Sequence, residues 1–222
     1  MSATMIIILF IGTWLMMVPM FFQAKKYDII KWKIIPLAFA LTVAGTFGTY
    51  VWFLIENLSW GGRSFYGAVF IVPLIFLILP LIIKIPYGQI MDLCAPAECI
   101  MLSLMKVQCL VSGCCEGRVM YMTELGELVR FPSQAVELVA AYVIAVILLI
   151  MSHRASFKEK VYPWYLILYG VSRFVLNFFR AEWENYDGGL PPYGNIWSVI
   201  AVIIGVLWIV FYNKKNKVIE NQ

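Results

Sequence analysis

The chain has 222 residues, 62% of them hydrophobic and only 14% charged, with a mean hydropathy of +0.84. A soluble domain carries about 25% charged residues, so this composition excludes a large water-soluble domain and indicates a polytopic membrane protein. The net charge of +4 does not indicate nucleic-acid binding; its distribution matters more than its sum, because basic residues report orientation in membrane proteins.

A membrane helix needs about 20 mainly apolar residues. Seven stretches meet that requirement, at about 4–22, 34–55, 65–83, 90–111, 133–151, 162–180 and 195–212. The first begins almost at Met1, without a basic n-region or a small-residue cleavage site, and reads as a retained helix rather than a removed signal peptide. Pro73 and Pro80 predict a bend in the third, with the freed carbonyls met by neighbouring helices. None of the stretches alternates apolar and polar residues as barrel strands do. The expected fold class is all-α: a polytopic integral membrane protein, one transmembrane domain over 1–222, with no repeat and no separate domain boundary.

The loops set the orientation. Lys25, Lys26, Lys31, Lys33, Lys84, Arg154, Lys158, Lys160, Lys214, Lys215 and Lys217 all fall on one side, and only Arg63, Arg118 and Arg130 fall in loops on the other. The positive-inside rule makes the first set cytoplasmic, with the amino terminus outside and the carboxyl terminus inside. Lys106, Arg173 and Arg180 then lie in the outer half of the bilayer. Arg173 precedes Arg180 by seven residues, about 10 Å deeper on nearly the same helix face. Ionisable residues at membrane depth are costly and are functional candidates by default.

Around these cations the sequence collects Gly61-Gly62-Arg63-Ser64-Phe65-Tyr66-Gly67, Cys109, Gly113-Cys114-Cys115-Glu116-Gly117-Arg118, Ser133, Gln134 and Glu137. Arginine suits phosphate through its planar fork of donors, and lysine adds a point charge. Such a group would hold an anionic lipid head group; the plainer alternative is unselective pairing with Glu137, Glu182 and lipid phosphates. Cys94 and Cys99 read as small packing residues. Cys109 with Cys114 or Cys115 would form a disulfide, or one thiol would act as a nucleophile activated by nearby cations; the spacing leaves both open. The five cysteines have no zinc-ribbon spacing and no CxxC, and neither a metal nor a cofactor is expected. The single histidine, His153, falls in a loop across the bilayer.

Five segments, in order, resemble the prolipoprotein diacylglyceryl transferases, a bacterial inner-membrane enzyme family. Gly61 to Gly67 resembles its Gly-Gly-x-Ser-x-His-Gly, and Asp92-Leu93-Cys94-Ala95-Pro96 its Asp-x-x-Ala-Pro. Lys106 to Arg118 matches the signature Gly-Arg-x-Gly-Asn-Phe-x-Asn-Gly-Glu-x-x-Gly-Arg without a gap. Arg130-Phe131-Pro132-Ser133-Gln134 with Glu137 is similar to Arg-His-Pro-Ser-Gln-x-x-Glu. Tyr169-Gly170, Arg173-Phe174, Asn177-Phe178 and Arg180 follow Tyr-Gly-x-x-Arg-Phe-x-x-Glu-Phe-x-Arg.

The resemblance implies transfer of diacylglyceryl from phosphatidylglycerol to the thiol of a lipoprotein-precursor cysteine, with glycerol phosphate leaving. With the residues as they stand, Lys106, Arg118, Ser133, Gln134, Asn177 and Arg180 are expected at the head group, Arg173 at the phosphate, Tyr66 or Glu137 at proton transfer, and Cys114 or Cys115 as the nucleophile of a covalent intermediate that the family does not need. The sequence departs from the family pattern at Tyr66 (for His), Lys106 (for Arg), Cys109 (for Asn), Cys114 (for Glu) and Asn177 (for Glu). Those departures keep two other readings in play: an anionic-lipid-binding or transport-associated protein that kept the scaffold, and a thiol-redox membrane protein. The expected location is the bacterial cytoplasmic membrane, with the site in its outer half.

Overall fold

The computed structural model describes residues 3–184 and 186–220. It is built from α1 (Ala3–Lys26), α2 (Ile34–Asn57), α3 (Tyr66–Ile75), α4 (Leu79–Ile83), α5 (Tyr87–Ser112), α6 (Ser133–Ser152), α7 (Val161–Asn177) and α8 (Tyr193–Glu220). One short antiparallel hairpin, β1 (Val119–Met122) with β2 (Leu128–Arg130), interrupts the helices between α5 and α6. Among the described residues six segments are long and apolar enough to cross a membrane: Thr4–Lys26, Lys31–Asn57, Tyr66–Ile83, Tyr87–Ser112, Ser133–Ser152 and Tyr193–Lys214. The protein is an all-α polytopic membrane protein. Large apolar side chains such as Phe10, Val43 and Leu81 point outward, as they do where the surrounding solvent is hydrocarbon.

Local chemistry explains the breaks. The stretch 65–83 divides into α3 and α4 around a 3₁₀ turn at Phe76–Ile78, between Pro73 and Pro80. Pro73 has no N–H to give the Val69 carbonyl. The Tyr162 hydroxyl of α7 donates to that carbonyl instead, at 3.0 Å. α5 starts after Pro86 and ends at Gly113, whose φ of 65° lets the chain turn back on itself. α7 is 17 residues long and stops at Asn177, three residues short of the stretch 162–180, because the chain tightens at Phe178 and Phe179 and Arg180 is extended.

α7 packs chiefly on α8, and α5 on α6 and α1. The fully buried centre includes Met16, Met20, Phe76, Leu93, Leu148, Tyr162 and Tyr165. α2 and α3 cross closely: a Cβ at Gly67 would overlap the Gly48 carbonyl. Small residues at such crossings let backbones approach in a medium where apolar burial alone drives little association, and this approach seats Tyr66, at the start of α3, inside the bundle.

Candidate functional site: a cationic cavity at one end of the bundle

A cavity of ≈ 960 Å³ opens at the end of the bundle where α1, α3, α6 and α8 begin and α2, α5 and α7 finish. Its deeper wall is apolar, with Leu9, Met16, Leu41, Met101 and Leu102. Its charged wall carries Lys106, Glu137, Arg173 and Arg180. The compartment is therefore amphipathic, a shape and chemistry suited to a lipid with a charged head.

Glu137, in the second turn of α6, is the centre of the charged wall and is 5% exposed. Its Oε2 pairs with Lys106 Nζ of α5. Its Oε1 lies 2.5 Å from Arg173 Nη1 and 3.0 Å from Arg180 Nη1. Arg180 Nη2 also reaches Glu182 Oε1 at 3.3 Å. Three cations against two carboxylates leave one net positive charge (3 − 2 = 1). Burying any of these charges alone would cost several kcal/mol, so mutual pairing is what makes the arrangement possible. The Nε of Arg173 and the Nε of Arg180 are buried without a hydrogen-bond acceptor among the described residues.

Backbone pairing places Arg180, which lies beyond α7. Gly117 bridges Arg180, the Arg118 N–H donates to the Phe179 carbonyl at 2.9 Å, and the Ala181 N–H donates to Glu116 O at 3.4 Å. Arg130 ties the same loop down through Glu116 at 3.1 Å, Glu184 at 3.0 Å and the Gly117 carbonyl at 3.1 Å. The loop after α5 thus acts as a strap on the segment after α7.

The sequence-derived residues divide into two groups. Tyr66, Lys106, Cys114, Cys115, Glu137, Arg173 and Arg180 all line the cavity. Arg118, Ser133, Gln134 and Asn177 do not. The Arg118 guanidinium stacks on the Phe179 ring, 5.1 Å from its centroid. Ser133 Oγ donates to the Cys115 carbonyl at 2.6 Å, and Gln134 Nε2 to the Cys114 carbonyl at 2.7 Å. The buried Asn177 amide faces Gly194 and has no hydrogen-bond partner among the described residues. The Tyr66 hydroxyl, although on the cavity wall, is held by α8: it lies 2.8 Å from the Gly194 carbonyl and 2.6 Å from Ser198 Oγ.

Gly113 and Cys115 both adopt left-handed backbone, with φ of 65° and 61°. That conformation is uncommon for a residue with a Cβ, and the Ser133 and Gln134 bonds hold it. The fold-back brings the sulfurs of Cys109, Cys114 and Cys115 within 4.8 Å of one another. All five cysteines are free thiols. The Cys109 thiol, by hydrogen bonding to Cys115, draws the Cys115 thiol well below its usual range; burial opposes this, and the charges of Lys106 and Arg180 reinforce it.

Three acidic residues matter here to which the sequence reading gave no role, Asp92 having entered only as part of a motif. Glu98 of α5 lines the cavity with both oxygens buried and unpartnered among the described residues. Glu56, at the end of α2, lines it and accepts from Ser64 Oγ at 3.1 Å. Asp92, at the opposite end, is fully buried and accepts from the Tyr27 hydroxyl (2.6 Å) and from the backbone N–H groups of Glu159 (2.6 Å), Val161 (2.8 Å) and Tyr162 (3.3 Å). The signal for Glu98 and Asp92 was a carboxylate inside an apolar run; the partners that give each its part come from elsewhere in the chain.

The sequence is similar to that of an enzyme acting on such a lipid. The phosphatidylglycerol–prolipoprotein diacylglyceryl transferase of Acinetobacter baumannii (strain SDF) is 28% identical over 186 residues, covering 75% of this chain and 68% of that protein. Residues 3–211 match the family model described as prolipoprotein diacylglyceryl transferase, nearly the whole chain and every wall of the cavity, so the protein belongs to the prolipoprotein diacylglyceryl transferase family.

Proposed function

We propose that this protein moves the diacylglyceryl group of phosphatidylglycerol to a cysteine thiol of a lipoprotein precursor, working from the outer half of a bacterial cytoplasmic membrane. The observation that carries the reading is the Glu137 cluster: three cations fixed around one buried carboxylate, on the wall of a cavity that is apolar along its depth. The acyl chains occupy the apolar part, and the head group meets Arg173, Arg180 and Lys106. The name of the Acinetobacter relative carries the same donor and acceptor, and the family's description the same acceptor and transferred group.

In the reaction the acceptor sulfur attacks the glycerol carbon that bears the phosphate. A C–S bond forms as the C–O bond breaks, glycerol phosphate departs with the bonding pair, and the thiol proton is lost. Negative charge grows on the departing phosphate, beside Arg173 and Arg180, whose unpartnered Nε donors need no further desolvation to meet it. Arg118, Ser133 and Gln134 act one step back, by holding the loop and the Arg180 segment in register.

The test is release of glycerol phosphate from labelled phosphatidylglycerol by purified protein, with and without a cysteine-bearing lipoprotein signal peptide. Release only with the peptide is expected. Arg173→Ala should lower the rate by about 10²-fold, as removal of a donor to a developing oxyanion does; full activity in that variant would remove the phosphate role. No release with lipid still bound would replace transfer by lipid binding.

A further inference from the structure

The thiol acceptor must lose a proton, and neither Glu137 nor Tyr66, the two groups the sequence offers for proton transfer, is free to take it. Both oxygens of Glu137 are occupied by cations, and the Tyr66 hydroxyl is held by Gly194 and Ser198. Glu98 lies eight residues back along α5, about 12 Å from Lys106 along the axis. What the mouth of the cavity does hold is sulfur. Cys109, Cys114 and Cys115 all line it, their sulfurs lie within 4.8 Å of one another, and none is in a disulfide.

Three thiolates around Zn²⁺, each at about 2.3 Å in tetrahedral geometry, stand about 3.8 Å apart. The observed sulfurs, within 4.8 Å of one another, stand near that spacing. The backbone beneath it is already fixed: Gly113 and Cys115 hold the fold-back, and Gln134 and Ser133 grip the carbonyls of Cys114 and Cys115. Soft thiolates select Zn²⁺ or Cu⁺, and a three-ligand protein site is the pattern in which zinc keeps a fourth position for substrate. Three thiolates and Zn²⁺ sum to a single negative charge, next to Lys106 and Arg180.

We infer that Cys109, Cys114 and Cys115 form a three-thiolate site for Zn²⁺, with its open fourth position toward the cavity, where it takes the acceptor thiol. This second part rests on the transfer reading above. An acceptor R–SH entering the fourth position binds as R–S⁻ and gives its proton to solvent, because a thiol on zinc is deprotonated outright. Zinc thereby supplies the nucleophile without calling on Glu137 or Tyr66 as a base.

The protein in detergent, reduced with a phosphine and stripped with chelator, is titrated with Co²⁺ and then with Zn²⁺. We expect intense sulfur-to-cobalt charge-transfer and tetrahedral d–d bands that saturate at one equivalent and vanish as zinc displaces cobalt. Each of Cys109→Ser, Cys114→Ser and Cys115→Ser should abolish the thiolate spectrum, while Cys99→Ser keeps it. N-acetylcysteine methyl ester should shift the d–d bands as it enters the fourth position. Absence of the charge-transfer band, or its survival in all three variants, overturns the site; a spectrum indifferent to the added thiol overturns the open position. The titration contains no lipid, so its outcome is separate from that of the transfer assay. A metal-stripped protein that transfers at full rate and shows no cobalt spectrum sinks this inference alone. One that shows the spectrum but never transfers keeps the metal site and sinks the transfer reading.

Discussion

Glu137 is the residue on which the cavity's charge balance turns. Its two oxygens neutralise part of three largely sheltered cations that approach from α5, α7 and the segment beyond α7. A Glu137→Gln substitution keeps the shape and removes the charge, leaving Lys106, Arg173 and Arg180 to repel one another. Removing one partner of a buried ion pair costs about 3–5 kcal/mol, so this variant should lose thermal stability in detergent by an amount of that order. A melting temperature unchanged from the parent protein would show that solvent or lipid already screens the cluster. At Cys115 the expectation concerns pH. A thiol drawn below its ordinary range is ionised at a lower pH than an ordinary thiol, so alkylation of metal-free protein at Cys115 should reach its plateau early as pH rises. Cys109→Ser removes the leading cause and should move that plateau upward; mass-spectrometric alkylation rates across pH would show whether it does.

At the scale of elements, one buried carboxylate caps α7 at the end of the bundle away from the cavity. Asp92 of α5 accepts from Val161 and Tyr162 in the first turn of α7, and from Glu159 and Tyr27 beside it. It serves as a helix cap supplied from another helix, meeting N–H groups that the first turn leaves unpaired. Asp92→Ala should destabilise the protein by about 2 kcal/mol. Arg173 sits toward the far end of the same α7 element and Arg180 just beyond it, so the loss should also weaken lipid binding without touching the cavity; unchanged lipid retention in a destabilised variant would uncouple the two ends. The proline at 73 shows the same logic. Its effect on α3 is legible in sequence, but the donor that repairs the Val69 carbonyl is Tyr162, ninety-three residues away in the chain, and no local pattern names it.

For the whole molecule, the uneven distribution of lysine predicts which way the bundle faces. Lysine and arginine crowd the end that carries Lys25, Lys33, Lys84 and Lys158, and the cavity opens at the other. A membrane-impermeant maleimide applied to intact cells treated with chelator should therefore label Cys114, which is exposed at the cavity mouth. A cysteine placed by His153→Cys should react only after permeabilisation. The opposite pattern would turn the protein over and put the cavity on the cytoplasmic side.

By itself the sequence determined that this chain is a bundle of apolar helices with charges placed where membranes tolerate them poorly, because composition, segment length and charge position act locally and need no partner to be read. It also contained the motif order that resembles the transferase family. Only the tertiary structure decided which charges meet. It joined Lys106, Arg173 and Arg180 through Glu137, while it turned Arg118 onto Phe179 and Ser133 and Gln134 onto the cysteine loop. It brought together three sulfurs whose spacing along the chain suggested no metal site. The physical reason is the same in each case: ion pairs and ligand sets are set by distance in space, and the distances arise from close helix crossings and a left-handed turn at Gly113 and Cys115.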